Sequence, residues 1–550
     1  MWPELLGNGA PAACDNQLMA DEVAFVGGPV ATMDAARSFT DAVLVRDGRI
    51  AAVGGEAVRE RVRPRTEVVE LRGRLLLPGF HDAHVHPVFG GMLRLRCDLS
   101  QATDAGDCLR LISEHLTEFP DSPWLLGGGW DMAQFPGGTP TRRALDSVTG
   151  DRPAYLVNRD HHGAWVNSVA LRLAGIDRHT PDPPDGRIER DPAGRPDGTL
   201  HEGATRLMEH VLPAAGSEQY LDALAAGQRH LHARGVTSWH DAIVGRYLGY
   251  DDLLSTYLLA DERGLLTGKV RGALWWDRDR GVEQIPDLLE RRKRARGRRF
   301  RAETVKIMQD GVCENATAAL RLPYLGPDGR GLSFVSPEEL AEAVPRLTAE
   351  GFQLHFHAVG DRAVRDALDA VAGSGPELRH QIAHVQVVHP GDIARFRELG
   401  VAATIQPRWA VNDAAMTELT VPKLGHTRAS WQYPFRSLRA AGAVLAAGSD
   451  WPVSEADPML GVHVAVNRRE PGSDEPLGPD EALELVDALA AYTVGSAWVN
   501  HVEQHTGSVE VGKAADLVVL DADPFALPPE EIAGCGVDLT VVDGEFVHQR

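Results

Sequence analysis

The chain has 550 residues, 43% apolar and 24% charged, and its 78 acidic against 56 basic side chains give a formal charge of −22. That length exceeds one ordinary core and calls for two or three structural units, and the apolar content excludes a disordered or fibrous chain. So acidic a balance argues against a general nucleic-acid or anionic-membrane binder, because such partners need a basic face.

Met1–Leu6 lacks the basic start and long apolar stretch of a signal peptide, and no later run approaches the ~20 apolar residues of a membrane span. Cys14, Cys97, Cys108, Cys313 and Cys535 are scattered, odd in number and free of any CxxC pair. Neither a disulfide framework nor a thiolate zinc site is expected, and the location expected is cytoplasmic.

Short β-type runs at 23–26, 42–45 and 50–53 open the chain, and 515–521 with 539–547 repeat that texture near its end. Both ends are therefore expected to build one composite β-sandwich, from residues 1–74 and 503–550. Between them, apolar strands alternate with helical stretches such as 337–350 and 361–371, the pattern of βαβ units. Eight strands can be counted, at 75–77, 236–239, 270–274, 304–308, 352–356, 381–384, 401–405 and 444–447. The fold class is α/β, with a (β/α)8 TIM-like barrel over 75–502. The gap after the first strand is too long for one loop, so an inserted subdomain over about 98–225 is expected, covering the barrel mouth. The basic run 291–301 reads as a solvated helix end leading into a strand, with an anion patch as the alternative.

In HDAHVHP, just after the first apolar strand, alternate side chains share a face, so His84 and His86 can address one metal ion. His357, His384 and Asp450 each end a different predicted strand, on the face where barrels put their chemistry. Lys306 stands inside an apolar strand pattern. A buried ammonium tends to lose its proton or acquire a partner, which leaves two readings: a metal-bridging carbamate, or an ion pair with Asp310 or Asp450. His355 shares the face of His357 and reads equally as a site residue or a core histidine. Cys313, beyond the fourth strand, reads as structural.

HDAHVHP, TVKIMQDG, HFHAVGD, RHQIAHVQ and AAGSDWP together resemble the amidohydrolase superfamily. DRPAYLVNRDHHGAWVNSVAL, TAALRLPY and GSDWPVSEADPMLGV are similar to its branch of N-substituted formamide deformylase-like hydrolases. The resemblance implies that His84 and His86 bind the more buried metal and that His357 and His384 bind a second. It also implies that Lys306 bridges as a carbamate, and that Asp450 is both ligand and proton shuttle. One or two divalent ions are implied, with Zn²⁺ the expected metal. Related branches replace the lysine or hold a single metal, so the metal count stays open.

The activity this implies is hydrolysis of the C–N bond of a small N-acyl or N-formyl compound by metal-activated water. Trp130, Asp131, His162, Glu202, Arg408 and Trp409 are the candidates around the substrate, and His162 reads either as a donor to the tetrahedral oxygen or as a polar residue that stabilises the insertion. For Arg408 the alternative is an ion pair with Asp413 or another acidic loop residue. Trp165 and Asn167 read as packing and turn residues. The competing functions are deamination of a nitrogen heterocycle and a non-catalytic scaffold. The partner expected is a small molecule, with no nucleic acid or membrane, and a homodimer stays open.

Overall fold

In the computed structural model, which describes residues 22–326 and 328–550, eight parallel strands succeed one another around a common axis. They are β1 Phe80–Val85, β2 Val236–Val244, β3 Lys269–Trp275, β4 Phe300–Met308, β5 Gln353–Ala358, β6 Gln381–His384, β7 Ala402–Ile405 and β8 Leu445–Ala447. Each pairs with the next in chain order, which makes a TIM-like α/β barrel. The circle is drawn shut from β8 to β1 by the chain just beyond β8. Asp450 N–H donates to the His84 carbonyl at 2.7 Å, and Ser449 donates from N–H and hydroxyl to the Asp82 carboxylate at 3.0 and 2.5 Å. Burial pushes the Asp82 carboxyl up to about 7 against these hydrogen bonds.

The interior of the lower barrel is polar, yet satisfied. Thr304 donates to Gln353, Gln381 to Gln353 and Thr404 to Gln381, at 2.8, 3.4 and 2.9 Å. Such a layer is stable because each buried amide and hydroxyl finds a partner.

One expected strand belongs elsewhere. Leu75–Leu77 is not the first barrel strand: the stretch Leu76–Pro78 pairs with Leu517–Leu520 and meets Glu22–Ala31 through Val30. The true first strand is β1, which His81, Asp82 and His84 interrupt, whereas the neighbouring Leu75–Leu77 is wholly apolar. The sheet that takes up Leu76–Pro78 has eight strands and draws on both ends of the chain. Its order runs Glu545–Gln549, Val537–Val542, Leu517–Leu520, Leu76–Pro78, Glu22–Ala31, Phe39–Arg46 and Arg49–Val53, with Glu67–Glu70 beside Glu22–Ala31. Successive residues of its strands enter different apolar clusters, Phe25 and Val43 one, Ala24 and Leu44 the other, as a period of two requires.

Six strands between Cys97 and Glu202 form a separate sheet after β1. The helix Ser217–His232 begins within the stretch expected to be inserted and runs past its end, and it packs on the barrel helix Pro87–Arg94. The contact is backbone to backbone: a Cβ at Gly91 would sit 1.8 Å from the Ala223 carbonyl, and one at Gly227 would sit 2.2 Å from that of Pro87. Helices Pro337–Ala349 and Asp361–Val371 fall where their periodicity puts them. The basic run does end a helix, Ile285–Arg294, and lead into β4. It is not wholly solvated, because Arg299 is buried.

Among the described residues Cys97, Cys108, Cys313 and Cys535 are buried free thiols; Cys14 and Met1–Leu6 lie outside those residues. Among the same residues no helix is long and apolar enough to cross a membrane.

Candidate metal centre

The C-terminal ends of the barrel strands bring His84, His86, His384 and Asp450 together. Nε2 of His86 lies 3.0 Å and Nε2 of His84 3.5 Å from Oδ1 of Asp450, while Nδ1 of His384 is 3.9 Å from Oδ2. Ligand atoms of His84, His384 and Asp450 all fall within 4.8 Å of one another, and all three residues are buried. His384 and Asp450 hold φ angles of +77° and +56°, a left-handed conformation that non-glycine residues adopt rarely and that clusters at functional sites.

These residues suit a divalent cation. Nδ1 of His86, Nδ1 of His384 and Oδ1 of Asp450 are buried without a hydrogen-bond partner, which is costly unless another group engages them. Burial, with help from Lys306 and neighbouring rings, holds His84, His357 and His384 well below the usual imidazole range, so their nitrogens keep lone pairs. Neutral imidazoles with a carboxylate form a common ligand set for Zn²⁺.

Lys306 is fully buried in β4, in register with His355. Burial lowers its pKa to about 7, against the opposing charge of Asp450. The ion pair with Asp310 does not form, because that carboxylate instead accepts backbone N–H groups of Ala319, Val359 and Gly360 at 2.8–3.0 Å. His357 stands beside the cluster rather than in it. Its ring centroid lies 4.4 Å from that of His384, and its Nε2 lies 3.2 Å from the Gly311 carbonyl. His355 places Nε2 2.8 Å from Nδ1 of His84.

The inserted sheet supplies a second layer. Nδ1 of His162 lies 3.0 Å from both oxygens of Glu202, and its ring is 5.1 Å from that of His357. Burial disfavours a charged His162, yet the Glu202 carboxylate raises its pKa to about 9. Glu202 also accepts the Thr317 hydroxyl at 2.8 Å, and burial of its carboxylate is more than offset by His162, which holds it below the usual range.

A cavity of about 330 Å³ opens at this mouth, lined in part by Asp131, Arg159, Glu314, Arg408, Trp409 and Trp451. Trp409 stacks on His384 with centroids 4.9 Å apart and planes 1° apart. Arg408 lines the cavity but is held by Glu470 at 2.7 Å, an acidic loop residue other than Asp413. Asp131 pairs with Arg159 at 2.9 Å.

Trp130, expected at the substrate, is instead fully buried in the insertion. It packs against Phe135 and Trp165 and donates from Nε1 to the Leu156 carbonyl. Trp165 and Asn167 do serve packing and capping, since Asn167 accepts the Ala170 N–H at the head of Ser168–Leu173. Sequence reasoning missed Asp241. Its Oδ1 lies 3.9 Å from Nδ1 of His86, and Oδ2 accepts the Tyr257 hydroxyl at 2.5 Å. Its place late in β2 was the available signal.

Known proteins resemble this chain over most of its length. The model of the Amidohydrolase family matches residues 67–548. YtcJ of Bacillus subtilis is 32% identical over 539 residues, covering 95% of this chain and 99% of YtcJ. The N-substituted formamide deformylase of Arthrobacter pascens is 29% identical over 537 residues, covering 95% and 97%. The solved structure of an uncharacterized metal-dependent hydrolase from Pyrococcus horikoshii OT3 is 26% identical with a TM-score of 0.72, covering 92% of this chain and 99% of that one. With the family model matching most of its length, the chain belongs to the amidohydrolase family.

Proposed function

We propose that the protein is a metal-dependent hydrolase that cleaves the C–N bond of a small N-acyl or N-formyl compound, with Zn²⁺ as its metal. The observation that carries the reading is the buried convergence of His84, His384 and Asp450, whose ligand atoms lie within 4.8 Å and include unpartnered ones. The bond type is supported by the relative named for N-substituted formamides.

His84, His86, His384 and Asp450 would hold the ion, with His357 and a carbamate on Lys306 flanking the place for a second. A bound divalent ion would supply Lewis acidity at the acyl oxygen and acidify water. The protein supplies the rest. Asp450 accepts the proton of the attacking water and returns it to the departing nitrogen, which cannot leave as an anion. His162, kept charged by Glu202, donates toward the oxygen that gains charge. Water adds to the acyl carbon, the C–N bond breaks, and a carboxylate and an amine leave.

The test combines metal analysis of the purified protein with assays on formamides, N-acyl amino acids and aminated heterocycles. Metal-dependent release of formate or another carboxylate with an amine is expected. Ammonia from a heterocycle without amide cleavage would replace the reading with deamination.

A further inference from the structure

The arginine-rich stretch 291–301 is anomalous in a chain of formal charge −22, and the fold gives it a place the proposed reaction does not use. At the N-terminal end of the barrel, opposite His84 and Asp450, two cavities of about 380 and 310 Å³ share walls made by Arg271, Asn500 and His501. Arg292 and Arg296 line the first, and Lys269, Arg298, Arg299 and Arg301 the second. Three carboxylates, Glu303, Glu350 and Asp543, stand in the same walls and a fourth, Asp516, pairs with Lys269, so among the described residues the seven cations outnumber their partners and the local field is positive within a negative protein.

Here Lys269 lies 2.5 Å from Asp516 and 2.7 Å from Asp543, and Arg299 lies 3.0 Å from Asp543. Among the described residues Arg271, Arg296, Arg298 and Arg301 have no carboxylate within 4.0 Å. Arg271 makes one long contact, 3.4 Å to the Val270 carbonyl, and Glu303 and Arg301 act on it with opposite sign. Arg299 is only 8% exposed, and its buried Nε has no partner.

Guanidinium groups with unused donors, arranged around a concavity rather than on a protruding face, match the oxygens of a multivalent anion. The cavity sizes suit a small molecule and not a helix or strand. We propose that this basal pocket binds a small anion of the phosphate or diphosphate class, between Arg271 and the arginines that lead into β4.

The metal-loaded protein is titrated with inorganic phosphate and with pyrophosphate at constant ionic strength, by calorimetry and thermal shift. Saturable binding at one site per chain is expected, tighter for pyrophosphate and accompanied by a higher melting temperature. Arg271→Gln weakens it about tenfold or more. So does the double variant Arg298→Gln/Arg301→Gln, whose exposed positions leave folding intact should Arg271→Gln fail to fold. Arg143→Gln, an exposed arginine of the insertion, leaves binding unchanged. Absence of a saturable response to either anion overturns the proposal. Equal pyrophosphate binding by all variants does so too, because that result marks chelation at the metal centre. Binding of polyglutamate or an oligonucleotide in place of both anions overturns the small-ligand assignment.

Discussion

Nδ1 of His84 lies 2.8 Å from Nε2 of His355, so one of the two rings donates to the other and Nε2 of His84 is left facing Asp450. This contact fixes which nitrogen of His84 is offered to a metal. Replacing His355 by Phe keeps the bulk and deletes the partner. Metal affinity should fall about 10- to 100-fold, as for other residues that orient a ligating histidine. Competition with a chelator reads the effect; an unchanged affinity would remove His355 from that role.

Asp450→Asn conserves shape and removes both the negative charge and the basic oxygen. Turnover should drop by about 10²- to 10⁴-fold, with the far-ultraviolet circular dichroism spectrum retained. Variant turnover equal to that of the parent would instead favour a scaffold whose barrel has no chemistry at this mouth.

Trp130 and Trp409 were expected in the same role and should behave differently. Trp130 is enclosed by Phe135 and Trp165, so Trp130→Ala should cost about 3–5 kcal/mol of stability and leave KM of the folded fraction unaltered. Trp409 stacks on His384 and lines the cavity. Trp409→Ala should remove an aromatic wall of the cavity and raise KM about two- to tenfold, as loss of an aromatic contact of about 0.5–1.5 kcal/mol with substrate implies, with a smaller fall in melting temperature than Trp130→Ala.

His232 sets an acid limit. Its Nδ1–H donates to the Val236 carbonyl at 2.9 Å and its Nε2 accepts the Thr267 hydroxyl at 2.8 Å. Burial lowers its pKa from 6.5 to about 4. The unfolded chain therefore gains a proton near pH 6.5 that the folded ring refuses until about pH 4. The stability this ring contributes is whole above pH 6.5 and is lost as pH falls through that window, about 3 kcal/mol in all. His232→Gln should flatten the fall in melting temperature between pH 7 and pH 4.5; an identical slope would refute the assignment.

The barrel was legible as short strands, most with an apolar part, set between helical segments. β2 to β8 each overlap the stretch predicted for them, because parallel strands covered on both faces read as short hydrophobic runs. β1 was displaced because His81, Asp82 and His84 interrupt it, so the neighbouring Leu75–Leu77 offered the stronger signal. His84, His384 and Asp450 were legible because strand ends expose the functional face. Trp130 was not, since aromatic residues in an insertion follow no barrel register and can serve either core or cleft. The Glu470 partner of Arg408 lies 62 positions away, a separation that no local pattern encodes.

The stretch Leu76–Pro78 is clasped between Glu22–Ala31 and Leu517–Leu520, and a single residue, Gly79, separates it from β1. A side chain at Gly79 would collide with Thr237 of β2, at 2.2 Å from its Cγ2. The joint is therefore stiff, and His84 is moored through it to the far end of the polypeptide. Trimming the carboxyl-terminal strands would slacken that mooring, and the first casualty should be retention of the metal rather than integrity of the barrel.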